Sequence, residues 1–157
     1  MAKAKAQYWL VKSEPEVFSI EDLKRKKRTS WEGVRNYQAR NNLKAMREGD
    51  QVLVYHSSVD PPGVVGLARV VKEAYPDHFA FDRKSEYFDP KSDPEAPRWF
   101  MVDLEFAERF PALLTLARLK ADKKLAGMVL LQTGSRLSVK PVKAAHFERV
   151  CRLARDL

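Results

Sequence analysis

The spacing of short β-type runs is what most restricts how this chain can fold. Residues 7–12 (QYWLVK), 51–57 (QVLVYHS), 64–71 and 98–106 are rich in aromatic or β-branched side chains, and turn chemistry follows the first three. Shorter apolar runs at 128–131 and 137–139 read as closing strands joined through Thr133, Gly134 and Ser135. Helical patterns fall between some of these runs, but without the regular alternation that builds a parallel doubly wound sheet. The expected class is therefore α+β, a small curled sheet with several short helices packed around it.

Local signals sharpen that outline. Ser19 followed by Asp22 resembles a helix-capping pair, so 20–26 is a short helix whose basic end complements its dipole. Ala39, Leu43 and Met46 share one face of a helix over 36–47, which Gly49 and Asp50 stop. The turn Asp60-Pro61-Pro62-Gly63 folds 51–57 and 64–71 into an antiparallel hairpin. Between 75 and 97, Pro76, Pro90, Pro94 and Pro97 deny regular pairing, and so long a loop in a compact domain is usually functional. Phe100, Val102, Leu104 and Phe106 alternate as in a half-buried strand; Thr115 can cap a helix reaching about residue 120, and 143–153 is an amphipathic final helix.

With 157 residues, 45% of them hydrophobic, the chain suits one domain over 1–157 with 1–6 as a short flexible terminus. Its single cysteine, Cys151, falls in the apolar pattern of Phe147, Val150 and Ala154 and reads as a small core residue, which suits a reducing compartment. No run approaches the roughly 20 apolar residues of a membrane span, and the first residues carry no hydrophobic signal segment, so an intracellular protein is expected. The formal charge of +8 favours polyanions. Lys24, Arg25, Lys26, Lys27 and Arg28 supply most of that excess, however, and such a run is also what a solvated helix end looks like.

Several chemistries lack their parts. The six glycines form neither GxGxxG nor GxxxxGK[ST], so no nucleotide cofactor is expected. His56, His78 and His146 lie in unrelated segments beside one cysteine, so no metal is expected. Asp77, Asp82 and Lys84 superficially resemble a nuclease set, but their close spacing suits a polar loop better than a metal site. Ser13, Ser57, Ser58 and Ser135 fall in no GxSxG string. The expectation is a binding protein without catalysis.

Aromatic placement supplies the positive signal. Trp9 and Trp99 occupy strand patterns and read as core, whereas Trp31 stands in a polar loop as the exposed-aromatic candidate. A loop tryptophan is either a plug or a platform. Here Arg35, Asn36, Tyr37, Gln38, Arg40, Asn41 and Asn42 follow it, a density of planar hydrogen-bonding groups suited to base edges and phosphates, although a polar helix start has the same look.

Five strings carry a family resemblance: YWLVKSEP at 8–15, WEGVRNYQARN at 31–41, YHSS at 55–58, VKEAYPD at 71–77 and SRLSVKPV at 135–142. In that order they resemble the EVE domain family over nearly the whole chain. The resemblance implies a PUA-like pseudo-barrel, related to the YTH readers of methylated adenine in RNA, and a reader of modified cytosine in DNA. It also implies a stand-alone bacterial and cytoplasmic member, since the long basic extension of a eukaryotic nuclear relative is not in this sequence, and a monomer.

By position within those motifs, Lys12, Ser13 and Glu14 line one wall of a base pocket, Trp31 the floor, Asn36 and Tyr37 the rim, and Ser57 and Arg136 the far side. Glu14 would accept from a cytosine amino group. A second aromatic wall would come from the long loop, where Phe79, Phe81, Tyr87 and Phe88 are all available. Lys24, Arg25, Lys26, Lys27, Arg28, Arg35 and Arg40 are the phosphate candidates. Two rivals stand beside this reading: an RNA-binding accessory of RNA modification or processing, and an enzyme acting on modified nucleotides through groups such as Glu14 or His56.

Overall fold

The structure, a computed structural model, describes residues 6–132 and 137–157. Most of the expected flexible terminus, the joint at 133–135 and Arg136 lie outside the described residues. Strand β1 (Tyr8–Ser13) leads into helix α1 (Ile20–Lys26), strand β2 (Arg28–Ser30) and helix α2 (Tyr37–Ala45). Strands β3 (Gln51–His56), β4 (Gly63–Pro76) and β5 (Phe100–Thr115) follow, then helix α3 (Leu116–Lys120), strand β6 (Val139–Val142) and helix α4 (Ala144–Arg155). The strands form one sheet in the order β2-β5-β4-β3-β1-β6, curled and, among the described residues, unclosed. β1 and β3 are parallel and the remaining pairs antiparallel, so the chain crosses over from β1 to β3 through α1, β2 and α2.

Alternation along the central strands feeds two cores. Trp9, Val11, Val52 and Val54 point to one side and pack with Ile20 and Leu23 of α1 and Ala39, Leu43 and Met46 around α2. Leu10, Leu53 and Tyr55 point to the other and meet Leu119 of α3 and Phe147, Val150 and Cys151 of α4. Cys151 is 3% exposed, and burial pushes its thiol up to about 11.

Helix starts follow their sequence signals. Ser19 and Asp22 form a reciprocal capping box at α1, Asn36 caps α2 by accepting from Ala39 N, and Thr115 caps α3 by accepting from Arg118 N. Three expectations are corrected. Residues 128–131 form no strand: Val129–Leu131 is a 3₁₀ turn that buries Leu130, closed locally by Leu131 N donating to Met128 O and Gln132 N to Val129 O. A short apolar run cannot by itself distinguish those two outcomes. Tyr75 and Pro76 do pair, opposite Met101 and Phe100, and proline is tolerated there because it is the last residue of the strand. β5 also runs past 106 to Thr115, with Pro111 carried in a bulge between the pairs Gly66–Arg109 and Val64–Leu114. A Cβ on Gly66 would come within 2.4 Å of the Glu108 carbonyl oxygen, so glycine allows that close approach.

Candidate nucleic-acid interface

Parallel pairing brings the C-terminal ends of β1 and β3 to the same edge, with Ser13 opposite His56. Ser57 N donates to Ser13 O at 3.0 Å, and the chain then turns, with Val17 N and Phe18 N donating to Glu14 O at 2.9 Å. Ser13 Oγ donates to Phe18 O at 2.5 Å, and Ser58 Oγ donates to the Glu14 carboxylate at 3.2 Å. Ser13, Glu14 and Ser57 are thus gathered by backbone geometry. His56 is the tie that the sequence concealed: its buried Nε2 accepts from Ile20 N at 3.1 Å, holding the start of α1 to the end of β3. Burial lowers its pKa, which keeps the ring neutral and able to accept.

Strand alternation separates Lys12 from Ser13. Ser13 follows Trp9 and Val11 on the α1 and α2 side, whereas Lys12 follows Leu10, with its ammonium 5.8 Å over the Tyr55 ring. There it meets Lys140, a fully buried side chain whose pKa burial and the Lys12 charge push down to about 8. The expected single wall of Lys12, Ser13 and Glu14 is therefore corrected, because adjacent strand residues face opposite sides.

Trp31 is not an exposed loop residue. Its backbone N donates to Val102 O at 2.8 Å, extending the edge that β2 makes with β5, and the residue is 9% exposed, its ring packed edge-on against Phe18 at 6.0 Å. The Lys26 ammonium lies 5.8 Å over the outer part of this pair, at Phe18. Trp31 contributes to the core.

The loop after Trp31 is held by Asp77. This fully buried carboxylate accepts from Gly33 N at 2.9 Å, from Arg35 at 2.9 Å and from Phe79 N at 3.0 Å. Gly33 has φ +85, and a Cβ there would come within 2.5 Å of the Tyr87 ring, so only glycine fits both the turn and the contact. Arg35 lies 5.6 Å from both the Tyr87 and Trp99 rings and donates to Tyr87 O at 2.7 Å and 3.2 Å and to Val34 O at 3.0 Å. Four of its five N–H donors are used inside the protein, which leaves at most one for the expected contact with phosphate. Asp82 accepts from Lys84 N at 2.9 Å, so the nuclease-like carboxylates are occupied as loop ties. Among the described residues no group of three or more His, Cys, Asp or Glu could hold a metal ion.

Of the second-wall candidates, Tyr87 packs on Gly33, and Tyr87 and Phe88 line a 320 Å³ cleft with Arg35 and Trp99, whereas Phe79 turns against His78 at 4.3 Å. A larger concavity of 860 Å³ beside α4 contains none of the sequence candidates. Within the basic run, Arg25 pairs with Asp22, and Arg28, placed in β2 and not in a loop, pairs with Asp103 at 3.1 Å. Lys24, Lys26 and Lys27 stand on the exposed surface of the same end of α1. Asp77, Trp99, Tyr87 and His56 are the residues whose roles sequence reasoning missed. The aromatic density of the proline-rich loop hinted at one of them, Tyr87.

A curled, mixed six-stranded sheet wrapped by short helices defines a PUA-like α+β domain. The chain belongs to the EVE domain family, which it matches over residues 7–153. It is 43% identical to human thymocyte nuclear protein 1, over 94% of this chain and 74% of that protein. A hypothetical protein from Leishmania major superposes with a TM-score of 0.93 at 50% identity, covering 97% of this chain and 96% of that one. The crystal structure of human THYN1 protein in complex with 5-methylcytosine containing DNA superposes with a TM-score of 0.87 at 43% identity, covering 95% and 98%. No helix among the described residues is long and apolar enough to cross a membrane.

Proposed function

We propose that this chain is a non-enzymatic reader of a modified cytosine in DNA. The observation that carries the proposal is its likeness, over 95% of its length, to a structure solved with 5-methylcytosine containing DNA. The gathering of Ser13, Glu14 and Ser57 at one edge, with Phe18 and Trp31 on the same side of β1 as Ser13, supports it. A base swung out of its stack enters beside Trp31, and Glu14 exchanges its Ser58 contact for the cytosine amino group. Asn36, whose side-chain oxygen is committed to Ala39 N, offers its amide NH₂ as a donor to the base edge.

Extrusion costs a few kcal/mol and stacking returns about 1–3 kcal/mol per base, so phosphate contacts must add affinity. In this reading Lys24, Lys26 and Lys27, all exposed, supply those contacts, with Arg25 and Arg28 weakened by their carboxylates. The domain acts as one unit, in the cytoplasm of a bacterium or the nucleus of a eukaryote. Titration of matched DNA and RNA strands carrying unmodified, methylated and hydroxymethylated cytosine tests the reading. Tighter binding to a modified DNA strand is expected; equal affinity for all DNA strands, or preference for RNA, overturns it.

A further inference from the structure

We propose that Tyr37, expected at the pocket rim, instead forms with Arg40 a second stacking station outside the base pocket, for the nucleobase adjoining the one that is read. This rests on the DNA-reader assignment but concerns a different nucleotide. Five side chains are linked by ring contacts: the Arg40 guanidinium lies 4.9 Å over Tyr37, Tyr37 stacks on Trp99 at 4.9 Å and 25°, and Arg35 lies 5.6 Å from both Trp99 and Tyr87.

The inner members are fixed. Trp99 is 6% exposed and its indole N–H donates to Asp89 at 2.7 Å, while Arg35 is tied to Asp77 and Tyr87. The outer end is left in water. Tyr37 is 53% exposed, so the outermost pair of the ladder, Tyr37 with the Arg40 guanidinium over it, stands in water, which pinning the long loop does not require.

Arg40 is held flat rather than free to wander, since it donates to Asn41 Oδ1 at 2.9 Å and 3.1 Å and to Arg98 O at 3.0 Å. With three of its five donors committed, it is oriented to present a planar cationic face. A guanidinium over an aromatic ring stacks any base and favours the adjacent phosphate, so the station tolerates every sequence. Tyr37 directly follows Asn36 at the rim of the loop that carries Trp31, which brings the station within reach of the neighbouring nucleotide.

The test places 2-aminopurine immediately 5′ or 3′ of the modified cytosine and follows its fluorescence on binding to wild type, Tyr37→Ala and Arg40→Gln. Near-ultraviolet circular dichroism checks that Trp99 keeps its setting. Quenching at one flank is expected with wild type and is lost in Tyr37→Ala. Affinity should fall between about fivefold and a hundredfold, equally for modified and unmodified strands. Arg40→Gln should show part of both effects. Wild type that quenches at one flank without distinguishing modified DNA would keep the station and sink the reader. No quenching at either flank, or loss of discrimination in Tyr37→Ala with Trp99 undisturbed, overturns the station; wild type that binds no strand overturns both.

Discussion

The two sides of the sheet are built from different materials. Toward α4, Leu10, Leu53, Phe147, Val150 and Cys151 meet through apolar contact, with polar ties confined to its margins, where Arg149 donates to Asp122 at 2.7 Å and Lys140 is buried beside Lys12. Toward the 31–36 loop, a comparable apolar base of Val11, Leu23 and Leu43 is overlaid by polar ties, where Asp77, Arg35 and Asp89 hold aromatic rings in place. Apolar packing is non-directional and tolerates exchange of similar volumes, whereas a buried carboxylate must find its donors in fixed positions. A scaffold can be made of the first, but a surface meant to present particular groups at particular angles needs the second.

The sharpest way to break this contrast is Asp77→Ala. It leaves Arg35 partly buried without its counter-charge and Gly33 N and Phe79 N without their acceptor. The loss expected is about 3–5 kcal/mol of unfolding free energy, with DNA discrimination failing at temperatures where the sheet is still folded. Chemical denaturation followed by oligonucleotide titration measures both. A loss below about 1 kcal/mol would show that the loop is held by its rings instead.

On the opposite side, Leu53→Ala should cost about 2–5 kcal/mol through the cavity it leaves. Binding to modified and unmodified strands should nonetheless keep its ratio wherever the variant is folded. Equal damage to discrimination from Leu53→Ala and Asp77→Ala would erase the distinction between scaffold and surface. Trp31 belongs to both sides of the comparison: at 9% exposure it is packed as core, so its removal cannot separate a binding role from a structural one.

Legibility followed the same division. Periodicity and capping chemistry revealed α1, α2, α3 and α4, the β3–β4 hairpin and the buried setting of Cys151, because each is written in residues a few positions apart. Asp77 meets Gly33 and Arg35 across 44 and 42 positions, and Tyr87 meets Arg35 across 52, so no local pattern announces them. The polarity around Trp31 also misled, since its polar neighbours describe the loop while its backbone is set by β5 and its ring packs on Phe18. Lys12 illustrates a third limit. Motif adjacency groups it with Ser13, and the pleat divides them.

Lys140 offers a pH-dependent test of the α4 side. Its folded pKa is lowered, to about 8 from 10.5, so below 8 it is charged in both folded and unfolded chains and its burial cost is constant. Between those values the unfolded chain holds the proton and the folded chain does not, so its contribution to stability rises with pH. The stability of Lys140→Met relative to wild type should be highest below pH 8 and should fall by about 1–2 kcal/mol toward pH 10.5, allowing for screening near Lys12. Paired thermal unfolding of the two proteins across this range decides it. A constant difference would mean that Lys140 keeps its proton throughout.

The smallest effects belong to the basic end of α1, where charge stands in solvent. Lys24, Lys26 and Lys27 are exposed, while Arg25 and Arg28 already face Asp22 and Asp103. Replacing the three lysines with glutamine should leave stability within about 0.5 kcal/mol, since exposed substitutions without buried partners disturb little. It should weaken modified and unmodified DNA by the same factor, because phosphate interactions position a strand without reading it. For every lysine that neutralises a phosphate, its replacement should make the slope of log affinity against log salt shallower by about 0.9 on duplex DNA. The two arginines sharpen the point: Arg25→Gln and Arg28→Gln should move the slope less than any one lysine, since part of each charge is already answered inside the protein. A salt titration of the five single variants ranks them directly. Equal slopes for lysine and arginine variants would show that DNA draws the arginines away from Asp22 and Asp103, and an unchanged slope in the triple-lysine variant would make this run solvated surface and move the phosphate track elsewhere.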